Sequence, residues 1–204
     1  LTKGWWKFEP KEEHTAKLSL REFNALNRPW RRWMQRTLDF RLLTHLGVPI
    51  RGRDVLEVGC GSGYAAELLA TFCPRSYLGI DFMPEQIELA LQRLPGTDFR
   101  VLDATDMRAI SNASKDTVVI FGALHHIRAW AQAARECARV LRPGGEMYLE
   151  EPGRTAILWF DRLFHWEHPI VFSLDELEAC VQQAGFRILK KIRFFGIGIY
   201  RLKL

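Results

Sequence analysis

From Arg53 onward the chain alternates short apolar runs with longer stretches whose apolar residues recur at helical spacing. Asp54-Val-Leu-Glu-Val58 predicts a strand, and Tyr64 to Phe72, with Leu68, Leu69 and Phe72 on one side, predicts a helix. Ser76-Tyr-Leu-Gly-Ile80 predicts the next strand. Pro84 opens a second helix that runs through Ile87, Leu89 and Leu91 to Leu94, ahead of Pro95-Gly96. Phe99–Leu102, Thr117–Phe121 and Glu146–Leu149 continue the strands, with a helix over Trp130–Leu141 that Arg142-Pro-Gly-Gly145 ends. Ser173-Leu-Asp-Glu176 has the form of a capping box, opening a last helix that Gly185 closes. Phe186–Phe195 and Ile197–Leu202 are β-rich, with only Gly196 between their apolar cores. No crossover helix fits there, so the two form a hairpin and the final strand runs antiparallel to the rest. The alternation as a whole predicts an α/β domain, a parallel sheet with helices on both faces.

Residues 1–52 stand apart from residues 53–204. Pro29 opens a helix with Trp30, Trp33, Met34, Leu38 and Leu42 on one face and Arg31, Arg32, Gln35, Arg36 and Asp39 on the other. Two readings fit this segment: a lid packing its aromatic stripe on the domain, or a membrane contact, to which Trp5, Trp6 and Phe8 interleaved with Lys3 and Lys7 would add. Charge sharpens the contrast. Residues 1–53 carry 12 basic and 5 acidic groups, residues 54–186 carry 11 and 19, and residues 187–204 carry 6 and none. Basic ends suit peripheral contact with an anionic membrane or an acidic metabolite.

Composition narrows the class. Of 204 residues, 48% are hydrophobic and 26% charged, the profile of a globular protein with one sizeable core. No apolar run approaches the ~20 residues of a spanning helix. Lys3, Lys7, Lys11, Glu12 and Glu13 break any signal-peptide core. Cys60, Cys73, Cys137 and Cys180 are far apart and form no CxxC pair, so no metal site is expected and a cytoplasmic setting is.

Candidate chemistry centres on Val55-Leu-Glu-Val-Gly-Cys-Gly-Ser-Gly63, a strand entering a glycine turn and then a helix. Gly61-Ser-Gly63-Tyr-Ala-Ala66 satisfies G-x-G-x-x-A, with Asp81 about 20 residues on, so the glycines alone leave a nicotinamide and another adenosine cofactor both open. Other features choose. Glu57 places an acid where a pyrophosphate would be repelled and a cationic cofactor tolerated. Asp103-Ala-Thr-Asp106 offers a carboxylate and backbone groups to an adenine edge, and the closing hairpin leaves no separate substrate domain.

With Gly79-Ile-Asp-Phe-Met-Pro-Glu-Gln-Ile-Glu-Leu-Ala90, Asp103-Ala-Thr-Asp-Met107, Gly122-Ala-Leu-His-His126 and Val140-Leu-Arg-Pro-Gly-Gly145 in order behind the glycine turn, residues 53–204 resemble the class I S-adenosylmethionine-dependent methyltransferases. The resemblance is to the small-molecule branch that includes ubiquinone and menaquinone methyltransferases. It implies a Rossmann-like, mostly parallel seven-stranded sheet with an antiparallel C-terminal strand, and S-adenosyl-L-methionine as cofactor. It further implies that Glu57, Gly59 and Gly61 line the methionyl and ribose side, Asp81 holds the ribose hydroxyls, Phe82 borders the adenine, and Asp103 with Ala104 reaches its edge.

The acceptor side is less determined. A sulfonium already activates the methyl group, so a base is needed only where the nucleophile holds a proton. His125 and His126 are the leading catalytic candidates. Glu150, Glu151, His165 and His168 stand behind them, and Pro152–Phe172 forms part of a substrate wall. Methylating enzymes for base amino groups carry an Asn/Asp-Pro-Pro-aromatic run after the fourth strand, where this chain has Gly122-Ala-Leu-His125, which disfavours a nucleic-acid substrate. The expected activity is methyl transfer to a small aromatic or lipid-soluble acceptor. The alternatives are a non-catalytic cofactor-binding partner subunit and a nicotinamide-dependent oxidoreductase.

Overall fold

In the computed structural model the described residues are 37, 40–164 and 172–204. They form α1 (Phe40–Leu46), β1 (Asp54–Val58), α2 (Tyr64–Ala70), β2 (Ser76–Asp81), α3 (Pro84–Arg93), β3 (Phe99–Val101) and β4 (Lys115–Phe121). A 3-10 turn (Leu124–His126), α4 (Trp130–Val140), β5 (Leu141–Pro152), α5 (Arg154–Phe164), α6 (Leu174–Gln183), β6 (Arg187–Phe194) and β7 (Ile197–Lys203) follow. Trp5, Trp6, Phe8, Trp30, Arg31, Arg32, Trp33, Met34, Gln35, Arg36, Leu38, Asp39, His165 and His168 lie outside the described residues.

The strands make one sheet in the order β3-β2-β1-β4-β5-β7-β6. Pairs from β3 through β5 are parallel, while β7 is antiparallel to both β5 and β6. The predicted seven-stranded sheet with its closing hairpin is therefore present. Its last strand lies inside the sheet, between β5 and β6. Strand order reverses between β1 and β4, and ligands of open α/β sheets bind at the carboxyl ends of the strands on either side of such a switch.

Alternation along each strand feeds two cores. Leu56, Val58, Leu78, Ile80, Val118, Ile120, Met147, Leu149 and Leu202 face α4 and α6, packing on Cys137, Val140, Leu177 and Val181. Val55, Val119, Phe121, Tyr148 and Ile199 face α1 and α2. A sheet covered on both faces reads as continuous apolar strands, which is why β1 shows no polar alternation except Glu57. The segment before β1 belongs to the second core: Leu43, Leu46, Val48 and Ile50 are buried there, and Arg201 on β7 donates to the Leu46 carbonyl at 3.1 Å.

Several boundaries differ from the sequence pattern: β4 begins at Lys115, β5 runs on to Pro152, and Arg154–Phe164, within the stretch read as a substrate wall, is helical. α2 stops at Ala70, short of Phe72. Arg142-Pro-Gly-Gly145 ends α4 as expected but is drawn into β5, because Leu141 pairs with Lys115 and Glu146 with Thr117 around a bulge. The capping box at Ser173 forms: its side chain accepts from the Glu176 N–H at 3.1 Å, and Glu176 accepts from the Ser173 N–H at 2.6 Å.

Candidate functional site

Every described candidate lies at the carboxyl ends of β1 to β5. After β1 the chain turns through Gly59, Gly61 and Gly63, all at positive φ, into α2. Gly59 is required for a second reason. A β-carbon there would lie 2.4 Å from that of Ala123, so the glycine turn packs directly on the segment that follows β4.

The turn spends its own amides. The Gly59 and Cys60 N–H groups donate to the Ile80 carbonyl at 2.9 and 3.0 Å, Gly63 to Cys60 at 3.0 Å, and Gly61 to the Asp81 carboxylate at 2.9 Å. A pyrophosphate-binding turn offers such N–H groups to the ligand instead. Beside Gly61 there is room, since a β-carbon there would meet nothing nearer than Gln86 Oε1 at 4.0 Å.

Three carboxyls lie at the ends of β1, β2 and β3. Asp81, at the end of β2, accepts from the Met83 N–H at 2.9 Å as well as from Gly61. Burial raises its carboxyl, against the N–H groups of Met83, Gly61 and Phe82. Asp103 is buried after β3 and accepts from the Thr105 N–H and hydroxyl, both at 2.8 Å, which fixes the turn over Ala104. Phe82 is buried beside them. Glu57 is only 2% exposed, and burial pushes its carboxyl up to about 8 even though Tyr77 donates its hydroxyl to it at 2.5 Å. Tyr77 reaches Glu57 because Gly79 lies between them. Glu57 is in register with Gly79, and a β-carbon on Gly79 would sit 2.7 Å from the Tyr77 oxygen. No sequence pattern announced Tyr77; the cue was a glycine two residues on, opposite a buried acid.

On the other side of the switch, Gly122, Ala123 and the 3-10 turn carry His125 and His126, whose ring centroids are 4.0 Å apart. Glu151 lies beneath them. It shares a strand face with Met147 and Leu149, is 0% exposed, and takes the N–H groups of Ala123 at 2.8 Å and Leu124 at 2.7 Å on Oε1. Its Oε2 receives the His125 N–H at 3.4 Å and stands 2.9 Å from His125 Nδ1. Burial pushes this carboxyl up to about 8, with the Leu124, Ala123 and His125 N–H groups pulling the other way. Glu151 therefore holds the loop from below and does not face an acceptor. Glu150 points to the opposite face, where it accepts from the Tyr148 hydroxyl at 2.7 Å.

The donor set suits S-adenosylmethionine. Hydroxyls and an ammonium can pair with carboxyls such as Asp81 and Asp103, whereas a pyrophosphate would meet acids and consumed amides. Sheet order and site together define a doubly wound α/β domain that binds an adenosine cofactor at its switch point. Residues 56–149 match the family described as methyltransferase domain. A probable S-adenosylmethionine-dependent methyltransferase of Mycolicibacterium smegmatis is 35% identical over 153 residues, 74% of this chain and 59% of that protein. A ubiquinone biosynthesis O-methyltransferase of Xanthomonas oryzae pv. oryzae is 34% identical over 110 residues, 52% of this chain and 46% of that protein. The crystal structure of an S-adenosylmethionine-dependent methyltransferase from Aquifex aeolicus superposes with a TM-score of 0.70 at 18% identity, covering 92% of this chain and 100% of that one, a likeness of fold. The chain carries a class I S-adenosylmethionine-dependent methyltransferase domain, whose cofactor is S-adenosylmethionine. It spans about half the length of the curated relatives it matches, 59% and 46% of these two.

Proposed function

We propose that this protein transfers a methyl group from S-adenosylmethionine to a hydroxyl of a small aromatic or lipid-soluble acceptor. The observation that carries the reading is the packing of Gly59 on Ala123, which sets the acid-lined cofactor turn directly against the histidine loop. Relatives named as O-methyltransferases, among them the ubiquinone biosynthesis enzyme, support oxygen as the nucleophile.

In this reading Asp81 holds the ribose hydroxyls, Glu57, Gly59 and Gly61 line the methionyl and ribose side, and Phe82, Asp103 and Ala104 surround the adenine. The bound cofactor supplies an electrophilic methyl group. The chain's own contribution is alignment of the acceptor oxygen for in-line approach, together with His125 and His126 at the acceptor side. A labelled methyl donor offered with quinols, phenols, thiols and phospholipids tests this. Label should enter hydroxyl acceptors first. Cofactor binding without transfer to any acceptor would instead make the domain a cofactor-binding subunit.

A further inference from the structure

The segment that follows β3 carries no helix or strand, yet it is held at both ends. At one end the Leu102 N–H donates to the Asp81 carbonyl at 2.9 Å. At the other, Glu136 on α4 accepts from the Met107 N–H at 2.7 Å. Arg139, one turn further along α4, donates from Nη2 to the Met107 carbonyl at 2.8 Å, and from Nη1 to the Ile110 carbonyl at 3.0 Å and to the Asn112 side-chain oxygen. The pair is itself locked, since Arg139 Nε donates to Glu136 Oε1 at 2.7 Å. Ala113 and Ser114 then donate their N–H groups to the Arg139 and Val140 carbonyls at 3.0 and 2.9 Å, which closes the last turn of α4. One guanidinium thus straps the whole loop to the helix.

Asp103 and Ala104 lie inside the strapped segment. β3 spans only Phe99–Val101 at the edge of the sheet, so strand pairing by itself fixes little beyond its carboxyl end. Both bonds from Thr105 fall on Asp103 Oδ1, which leaves Oδ2 for a donor on a ligand. We propose that Arg139, paired with Glu136, is a positioning residue that sets Asp103 and Ala104 to recognise the adenine base of the cofactor. This rests on the placement of Asp103 at the adenine edge in the reading above. Adenine presents an amino donor beside a ring-nitrogen acceptor, whereas hypoxanthine presents an oxygen acceptor beside an N–H donor. An accepting Asp103 Oδ2 suits the first base and not the second. Arginine fits the task because its planar fork reaches several acceptors in fixed directions, which an ammonium cannot do.

Calorimetric titration with two ligands tests this: S-adenosylhomocysteine, the demethylated cofactor, and its deaminated form with hypoxanthine in place of adenine. The natural protein should favour adenine by about tenfold or more, the worth of one hydrogen bond to a charged group. Arg139→Lys keeps a positive charge beside Glu136 but loses the fork, and its preference for adenine should fall to about threefold or less, with the hypoxanthine ligand bound within about twofold of the natural protein. Glu136→Gln leaves an oxygen for the Met107 N–H while removing the charge that holds Arg139. It should shift the ratio in the same direction, and it carries the test where R139K fails to fold.

A strap that only supports the domain gives a different result. Both ligands then weaken by the same factor, the ratio stays where it was, and the proposal is overturned. Asp103→Asn separates the proposal from the reading beneath it. The new NH2 group suits the hypoxanthine oxygen, so the preference for adenine should vanish or reverse. If D103N shifts the preference while R139K and E136Q leave it alone, Asp103 reads the base without the strap and the proposal fails by itself. If D103N changes nothing, or the natural protein binds both ligands equally, Asp103 is not at the base, and the placement and the proposal fail together.

Discussion

A β-carbon added to Gly59 would stand 2.4 Å from the β-carbon of Ala123. The two residues lie at the ends of neighbouring parallel strands, β1 and β4, so the cofactor turn and the histidine loop share one contact surface. Gly59→Ala should therefore disturb both. We expect a stability loss of about 1–3 kcal/mol from overpacking, together with weaker cofactor binding. Adding Ala123→Gly should return part of that loss. A double-mutant cycle read by denaturant unfolding should give a coupling of at least about 0.5 kcal/mol, and strict additivity would show that the contact carries no energy.

Asp81 accepts from the Gly61 and Met83 N–H groups, and in the proposed reading it holds the ribose hydroxyls. Asp81→Ala should weaken S-adenosylmethionine binding by roughly tenfold or more, the loss of a charge-assisted hydrogen bond. Calorimetric titration of the two proteins measures it. Unchanged affinity would remove Asp81 from the cofactor site.

Stability should fall as pH rises from about 4.5 to about 8. Burial lifts the Glu57 and Glu151 carboxyls from 4.5 to about 8, so across that window the folded protein holds protons that the unfolded chain has released. At the acid end the sign reverses. Arg75 holds the Asp54 carboxyl far below its ordinary value and Arg139 lowers that of Glu136, so their contribution is lost only as pH falls through the carboxylate range. Thermal unfolding should show Tm declining between about pH 5 and pH 8, with a shallower decline in E57Q and E151Q. A Tm that climbs over that range contradicts the argument.

The basic aromatic segment predicted from sequence gives a separate test. Leu158 and Trp159 on α5 and Phe195 at the hairpin tip are exposed, on adjoining elements that the Gly153 N–H to Gly196 carbonyl bond joins at 2.8 Å. Such exposed apolar side chains would favour a lipid surface. The protein should co-sediment with anionic vesicles at low salt, and replacing Arg31, Arg32 and Arg36 by Gln should release it, each basic group being worth about 1 kcal/mol at such a surface. Protein that stays in the supernatant points to a soluble acceptor.

Much of this architecture was legible in the chain because its cues are local. Pro84 at the start of α3 and the capping box at Ser173 act within one turn of helix, and the hairpin follows from two β-rich runs too close for a crossover. The placement of the candidate residues was legible: Asp81 ends β2 and Asp103 follows β3. What was not legible depends on pairing. Glu150 and Glu151 are equivalent in sequence, and only the alternation fixed by Met147 and Leu149 puts Glu151 beneath the histidine loop. Tyr77 finds Glu57 only through the β1–β2 register and the missing side chain of Gly79. The bulge before Glu146 likewise depends on how β5 meets β4.

The position of β7 bears on how the molecule is assembled. β6 emerges from the ribosome first, yet its partner in the sheet is β7, which itself bonds to β5 on its other side. Until Ile197–Lys203 has been made, β5 ends the sheet as an open edge and β6 has nowhere to dock. Strands one to five can pair vectorially during synthesis, but closure is a single late event in which β7 pairs with β5 on one side and β6 on the other. Until that event, both flanking strands expose unpaired backbone, and a chaperone that shields sheet edges would be of most use there.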